Sequence, residues 1–281
     1  QTNKESDDLP QELTQLYGVP NDNVSGLSFQ QMSLLAREKI TVALSGLGGD
    51  EAFYGYNKYA FLYRHRWLYR LPRYIFSSLS GVWPWIGQSR RLCTALRLLQ
   101  GSQEARFLAL KNGAVGELLQ SSVLQTPGLG EFSRFGKDLV HAVRDFDIQN
   151  TLPASYAAAV DRGSMRASVE VRTPYLTKDL FEFSATLSPR VMVANGPKEV
   201  LRRLLRRYLP GDLIDFPKRG FVFPLERYLK QSRAVEPTSS GFRTETLSML
   251  WDRRYEKGYD EIALRLLILE NFFKKNNLNR Y

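Results

Sequence analysis

The chain has 281 residues, enough to bury the core of one large domain or two small ones. Hydrophobic residues make up 43% and charged residues 24%, which excludes a wholly disordered or fibrous chain. The net charge of +10 comes from 39 Lys and Arg against 29 Asp and Glu; these cations are spread along the chain and no recognisable nucleic-acid module accompanies them.

Gln1 to Asp8 is polar and acidic, unlike a secretory signal. Leu9–Tyr17 reads as a short helix stopped by Gly18 and Pro20, and residues 1–25 read as a lead-in to a main body over 26–281. Ser28 and Gln31 have capping-box spacing ahead of a helical stretch with Phe29, Met32, Leu35 and Ala36. Ile40-Thr41-Val42-Ala43-Leu44 is nearly continuous in apolar and β-branched residues. That composition predicts a strand buried on both faces of a parallel sheet.

From Asp50 onward helical signals dominate, with helices predicted over 57–69, 102–111, Leu139–Phe146 and 153–168 and a Pro-Gly loop over 126–130. The aromatic stretch 67–86 is interrupted by Arg70, Pro72, Arg73 and Pro84, so it reads as amphipathic packing helices and no membrane contact is expected. Cys93 is the one cysteine, which rules out an intrachain disulfide and suits a reducing cytoplasm. With only His65 and His141 beside it, neither a thiol–base pair nor a zinc site is expected. Thr177 is placed to cap a helix over 178–187 with its hydroxyl, and Pro197 suits the first turn of a helix over 198–208. A loop over 232–241 precedes closing helices over 244–257 and 260–275, separated by Gly258. A lone strand has no sheet to join, so the remaining strands are expected outside these residues.

Ser45-Gly46-Leu47-Gly48-Gly49-Asp50-Glu51 leaves the predicted strand and enters a helix. Ligands of open α/β sheets bind off the carboxyl ends of strands, so the position suits a ligand. Three glycines let amides turn inward as an anion nest, and a helix N-terminus adds positive potential. Asp50 and Glu51 stand in the first turn, where an Asp can also hold a metal beside phosphates. The spacing is neither the dinucleotide fingerprint nor a P-loop, and by itself it fits a plain tight turn as well as a phosphate site.

The stretch 42–56, read on through Ala52-Phe53-Tyr54-Gly55-Tyr56, closely resembles the second nucleotide-site motif of the asparagine synthetases. Val160-Asp161-Arg162-Gly163-Ser164-Met165 and Val169-Glu170-Val171-Arg172-Thr173-Pro174-Tyr175-Leu176 resemble that family's next block. Pro197-Lys198-Glu199-Val200-Leu201-Arg202-Arg203 and Phe216-Pro217-Lys218-Arg219-Gly220-Phe221 resemble its last ones. The resemblance implies an α/β, Rossmann-like fold, of which this stretch is predominantly α-helical with one or two short parallel strands. It implies adenylation of the aspartate side chain by ATP with Mg²⁺, then displacement of AMP by ammonia from a glutaminase domain. Ser45, Gly46, Leu47 and Gly48 would then form the nucleotide-contacting turn, Asp50 the metal ligand, and Lys198 the catalytic cation at the phosphates. A lysine suits that role because a point charge neutralises the developing phosphate charge, and at a helix start it is favourable only beside an anion. Asp161, Arg162, Glu170 and Arg172 are expected to orient the site through buried ion pairs.

Three departures from the family pattern stand out. No Ser-Gly-Gly-x-Asp-Ser pyrophosphate loop occurs, and the expectation is that this loop precedes Gln1, with the missing strands and the glutaminase domain, so that these residues alone are inactive. Leu47 stands where the family usually carries Glu or Asp and where its β-lactam-forming relatives carry Tyr, and leucine cannot move a proton. After Leu152-Pro153, Ala154-Ser155 replaces residues that are commonly acidic. Aspartate is the default carboxylate, another small carboxylate such as a sugar or peptide acid is the first alternative, and a non-catalytic, partner-binding scaffold the second. A homo-oligomer is possible on any of these readings.

Overall fold

Asp8 accepts a hydrogen bond from the Gln11 amide at 3.1 Å and caps helix α1, Leu9–Tyr17, with Pro10 in the first turn where no amide is needed. The computed structural model describes residues 8–67, 139–214, 223–231, 244–256 and 259–277. The helix predicted over 102–111, the loops over 126–130 and 232–241, the block from Phe216 to Phe221, Cys93, Gly258 and most of the aromatic stretch lie outside them.

The chain divides into two compact units, drawn from Gln1–Ser45, Pro153–Arg172 and Lys218–Tyr281 and from Gly46–Leu152 and Thr173–Pro217. In the first, α1 packs on the long closing helix, Tyr259–Lys275, through Leu9, Leu13, Leu16, Leu264 and Ile268. Leu13 is wholly buried, so truncating it to alanine costs about 2–5 kcal/mol. Helix α2, Ser25–Arg37, packs against helix α6, Ala158–Met165. Asn23 ties the start of α2 down by donating to Ser155 O at 3.1 Å and Ser155 Oγ at 2.9 Å. The Tyr17 hydroxyl donates to Asn23 O at 2.6 Å, and burial pushes that phenol up to about 12.

Strand β1, Val42–Leu44, pairs in parallel with β2, Glu170–Arg172, in the register Val42↔Glu170, Ala43↔Val171, Leu44↔Arg172. Glu170 N to Thr41 O at 2.9 Å and Ser45 N to Arg172 O at 2.8 Å extend the ladder at both ends. The parallel strand is present, but its expected burial on both faces is not. Leu44 is 76% exposed, and Ile40 and Val42 are open as well. The sheet has only these two strands among the described residues, so apolar composition finds no layer to cover it.

The second unit is helical. Helices α3, Gly49–Ala52, α4, Asn57–Arg64, and α5, Leu139–Phe146, enclose a core with α8, Pro189–Val193. Tyr54, Tyr59, Leu62, Val140, Val143 and Met192 are fully buried in it, with Phe53 beside them. The remaining elements of this unit are a 3₁₀ turn, Pro174–Leu176, and the helices α7, Lys178–Thr186, α9, Glu199–Leu205, and Gly211–Ile214.

Several local expectations are corrected. Helix α2 starts at Ser25, not after Ser28, because Asn23 Oδ1 accepts from the Ser25 amide at 3.1 Å. Helix α4 ends at Arg64, short of residue 69. Pro153 does not begin a helix. It lies inside a π-helical stretch, Asp147–Ala157, and the α-helix starts only at Ala158. Thr177 does not cap α7 with its hydroxyl, which donates instead to Pro174 O at 3.1 Å. The helix ahead of the last one ends at Asp252, with turns after it.

Candidate active site

Ser45 belongs to the first unit and Gly46 to Glu51 to the second. Ser45's amide belongs to the β ladder, and the Gly49 amide turns back to Gly46 O at 3.2 Å. One of the glycine amides expected in an anion nest, that of Gly49, is thus engaged within the chain. Gly48 takes the left-handed conformation, φ 89°, that an L side chain resists, and a Cβ there would also strike the Leu176 side chain. The Tyr175 ring packs over Gly49 and meets Phe53 edge-on at 6.1 Å. The block from Thr173 to Leu176 is therefore a wall of the glycine turn. Helix α3 is a single turn, so the dipole it offers an anion is small.

Asp50 and Lys198, predicted for separate roles, meet. Lys198 Nζ stands 3.0 Å from Asp50 Oδ1, with the two side chains 33% and 22% exposed. Lys198 is not in the first turn of a helix. It precedes α9 in the left-handed region, φ 58° and ψ 30°, and its anion is Asp50. That conformation is uncommon for a non-glycine residue, and it aims the side chain back toward α3.

Behind this pair lies a buried polar layer that the sequence did not announce. Glu51, 1% exposed, accepts from the Tyr56 hydroxyl at 2.5 Å through Oε1, while its Oε2 has no hydrogen-bond partner. Burial raises its carboxyl above the usual range, reinforced by the charges of Asp50 and Asp147 and opposed by the Tyr56 bond. Arg144, buried in α5, donates to Glu51 O at 2.9 Å and Ser184 Oγ at 3.0 Å and lies over the Tyr54 ring. Asp147 takes Tyr59, Thr151 and Lys58 as partners. No local pattern could have revealed Arg144 or Asp147: Glu51 and Ser184 lie far from Arg144 in sequence, and Tyr59 and Lys58 far from Asp147. Gly55 and Tyr56 close the motif 42–56, whose local pattern assigns them no role.

Asp161 and Arg162 are exposed, as is the pair Arg172 Nε to Glu170 Oε1 at 2.7 Å, so the expected buried ion pairs are absent from these four residues. Leu47 is half-buried in the turn. No cluster of three or more His, Cys, Asp or Glu that could hold a metal gathers among the described residues. Asp50 still fits Mg²⁺, a hard cation that commonly takes one carboxylate with phosphate oxygens and water, and Lys198 fits a phosphate. No helix of the described residues is long and apolar enough to cross a membrane.

The glycine turn follows a parallel strand, the end of the strand at which ligands of open α/β sheets commonly bind, and the carboxylate–lysine pair stands beside that turn. The chain belongs to the asparagine synthase family, whose model matches residues 8–256. It is 25% identical over 213 residues to a putative glutamine-hydrolysing asparagine synthetase of Mycobacterium bovis, covering 72% of this chain and 32% of that protein. It is 26% identical over 211 residues to glutamine-hydrolysing asparagine synthetase 1 of Bacillus subtilis, covering 69% and 32%. The chain thus spans about a third of the length of these relatives. No solved structure gives a significant match.

Proposed function

We propose that the full-length protein carrying this sequence forms an amide with ATP and Mg²⁺, by default converting aspartate to asparagine with ammonia released from glutamine. The observation that carries this reading is the Asp50–Lys198 pair beside the glycine turn. In this reading Ser45, Gly46, Leu47 and Gly48 border the nucleotide, Asp50 holds the metal, and Lys198 neutralises the phosphates. MgATP, when bound, supplies the leaving group that activates the carboxylate. Lys198 would exchange its contact with Asp50 for the phosphates as the metal takes the carboxylate, so neither charge is left without a partner. Its ammonium would then oppose the charge that develops at the phosphorus and on pyrophosphate.

A second reading rests on Leu47. With no proton acceptor at that position, the carboxylate could be a different small acid whose amidation draws its base from elsewhere. ATP–pyrophosphate exchange by the full-length protein, scanned over aspartate and other small carboxylic acids, separates the readings. Exchange with aspartate supports the first and exchange with another acid the second. Exchange with none leaves a non-catalytic scaffold.

A further inference from the structure

The loop between α3 and α4 reverses the chain in a way that concerns the Asp50–Lys198 pair. Tyr54, buried in the core, takes the left-handed conformation at φ 54°, and the next amide, that of Gly55, donates to Asp50 O at 2.7 Å. This is the six-to-one bond of a Schellman helix ending, and it presses the Gly55 backbone against Asp50. The usual glycine of that motif is displaced by one place: a tyrosine holds the left-handed position and the glycine follows it.

The reason lies in space, not backbone angle. A Cβ on Gly55 would run into Asp50 Oδ1 and Lys198 Cε and would stand 2.8 Å from Asp50 Cα. The carboxylate could swing aside; the Cα, fixed by the backbone bond, could not. The volume that a side chain at position 55 would fill is the volume in which the carboxylate and the lysine stem meet.

We infer that Gly55 is a positioning residue: its missing side chain lets Lys198 reach Asp50 and sets where the ammonium stands. Its catalytic consequence rests on the reading of that pair as the phosphate and metal site. The geometric claim stands apart from that reading.

The test uses the full-length protein with Gly55→Ala, Lys198→Ala and the double variant, measuring thermal unfolding and ATP–pyrophosphate exchange. Gly55→Ala should melt several degrees lower, and trimming the lysine should restore part of that loss because one of the two colliding partners is gone. Exchange should fall about a hundredfold in Gly55→Ala, the scale of a misplacement near 1 Å, and by at most about twofold more when the alanine is added to Lys198→Ala. If Gly55→Ala does not fold, recovery of folding in the double variant carries the inference equally. Melting losses that simply add, or a double variant no more stable than Gly55→Ala, overturn it. Recovery of melting with exchange indifferent to Lys198 upholds the positioning and removes the phosphate role instead.

Discussion

Tyr59 donates its hydroxyl to Asp147 Oδ2 at 2.7 Å, and neither side chain is reached by solvent. Thr151 Oγ1 donates to the other carboxylate oxygen at 3.0 Å, and Lys58 pairs with Oδ2 from the more open side. Losing one donor leaves the carboxylate two others, whereas losing the carboxylate strands a buried hydroxyl. Tyr59→Phe should therefore cost about 1–2 kcal/mol and Asp147→Ala roughly 3 kcal/mol. Urea unfolding of the two variants measures this, and a gain in stability in Asp147→Ala would show that Asp147 is better removed than paired.

Glu51 gives a pH dependence of the opposite sign to that of most carboxylates. Burial holds its folded-state carboxyl above the ordinary value of 4.5. Below that value both states are protonated and the group contributes nothing. As pH rises through it, the unfolded chain releases its proton first, so stability is lost until the folded-state group ionises as well. Glu51→Gln cannot titrate. The stability of the variant relative to the parent should therefore rise with pH from about pH 4 and then level off. Chemical denaturation of both proteins between pH 4 and 8 gives that difference, and a falling curve would mean that Glu51 is stabilised as the anion.

The parts of the site legible in the sequence are those in which the chemistry needs a particular local pattern. Ser45 to Glu51 could be read as a turn at the end of a strand because glycine spacing and strand composition are local. The meeting of Asp50 and Lys198 could not be read from spacing, since the fold alone brings α3 to the start of α9. Strand β2 was hidden because Glu170-Val171-Arg172 carries charges on both sides of one valine, and its extended form comes from pairing with β1. Capping-box spacing at Ser28 lost to Asn23, whose side chain captured the Ser25 amide first. Apolar composition at Val42 and Leu44 predicted burial, but composition does not record whether a neighbouring layer covers the strand.

Lys198→Ala in the full-length protein tests the proposed cation directly. The pair with Asp50 is partly open to water, so its loss should cost no more than about 1 kcal/mol of stability. Adenylation should fall by roughly two to four orders of magnitude, about 3–5 kcal/mol of transition-state stabilisation. Pyrophosphate exchange close to that of the parent would make Lys198 only a partner of Asp50.

Leu47 divides the two half-reactions. If the full-length protein makes an amide, ammonia loses its proton to a group other than residue 47. Leu47→Glu should then leave exchange within about twofold and accelerate the ammonia-dependent step roughly tenfold or more. Because Leu47 is half-buried in the glycine turn, the substitution can be accommodated without burying a charge completely. An equal loss in both steps would show that the leucine packs against the nucleotide.

A polypeptide of these 281 residues alone holds Asp50 and Lys198 already joined, while the Ser45 and Gly49 amides are engaged with Arg172 O and Gly46 O. No Ser-Gly-Gly-x-Asp-Ser loop is present in the sequence to add further amides and a second carboxylate. A triphosphate would have to displace the lysine from its carboxylate and gain few donors in return. One carboxylate also fixes Mg²⁺ weakly, since the remaining ligands are water and phosphate. MgATP should therefore bind no tighter than about millimolar, roughly −4 kcal/mol, and pyrophosphate exchange should be undetectable. The exposed apolar strand β1 should also promote concentration-dependent self-association. Calorimetric titration, an exchange assay and sedimentation over a range of concentrations cover all three expectations. Micromolar binding with turnover would mean that Asp50, Lys198 and the glycine turn suffice for the nucleotide.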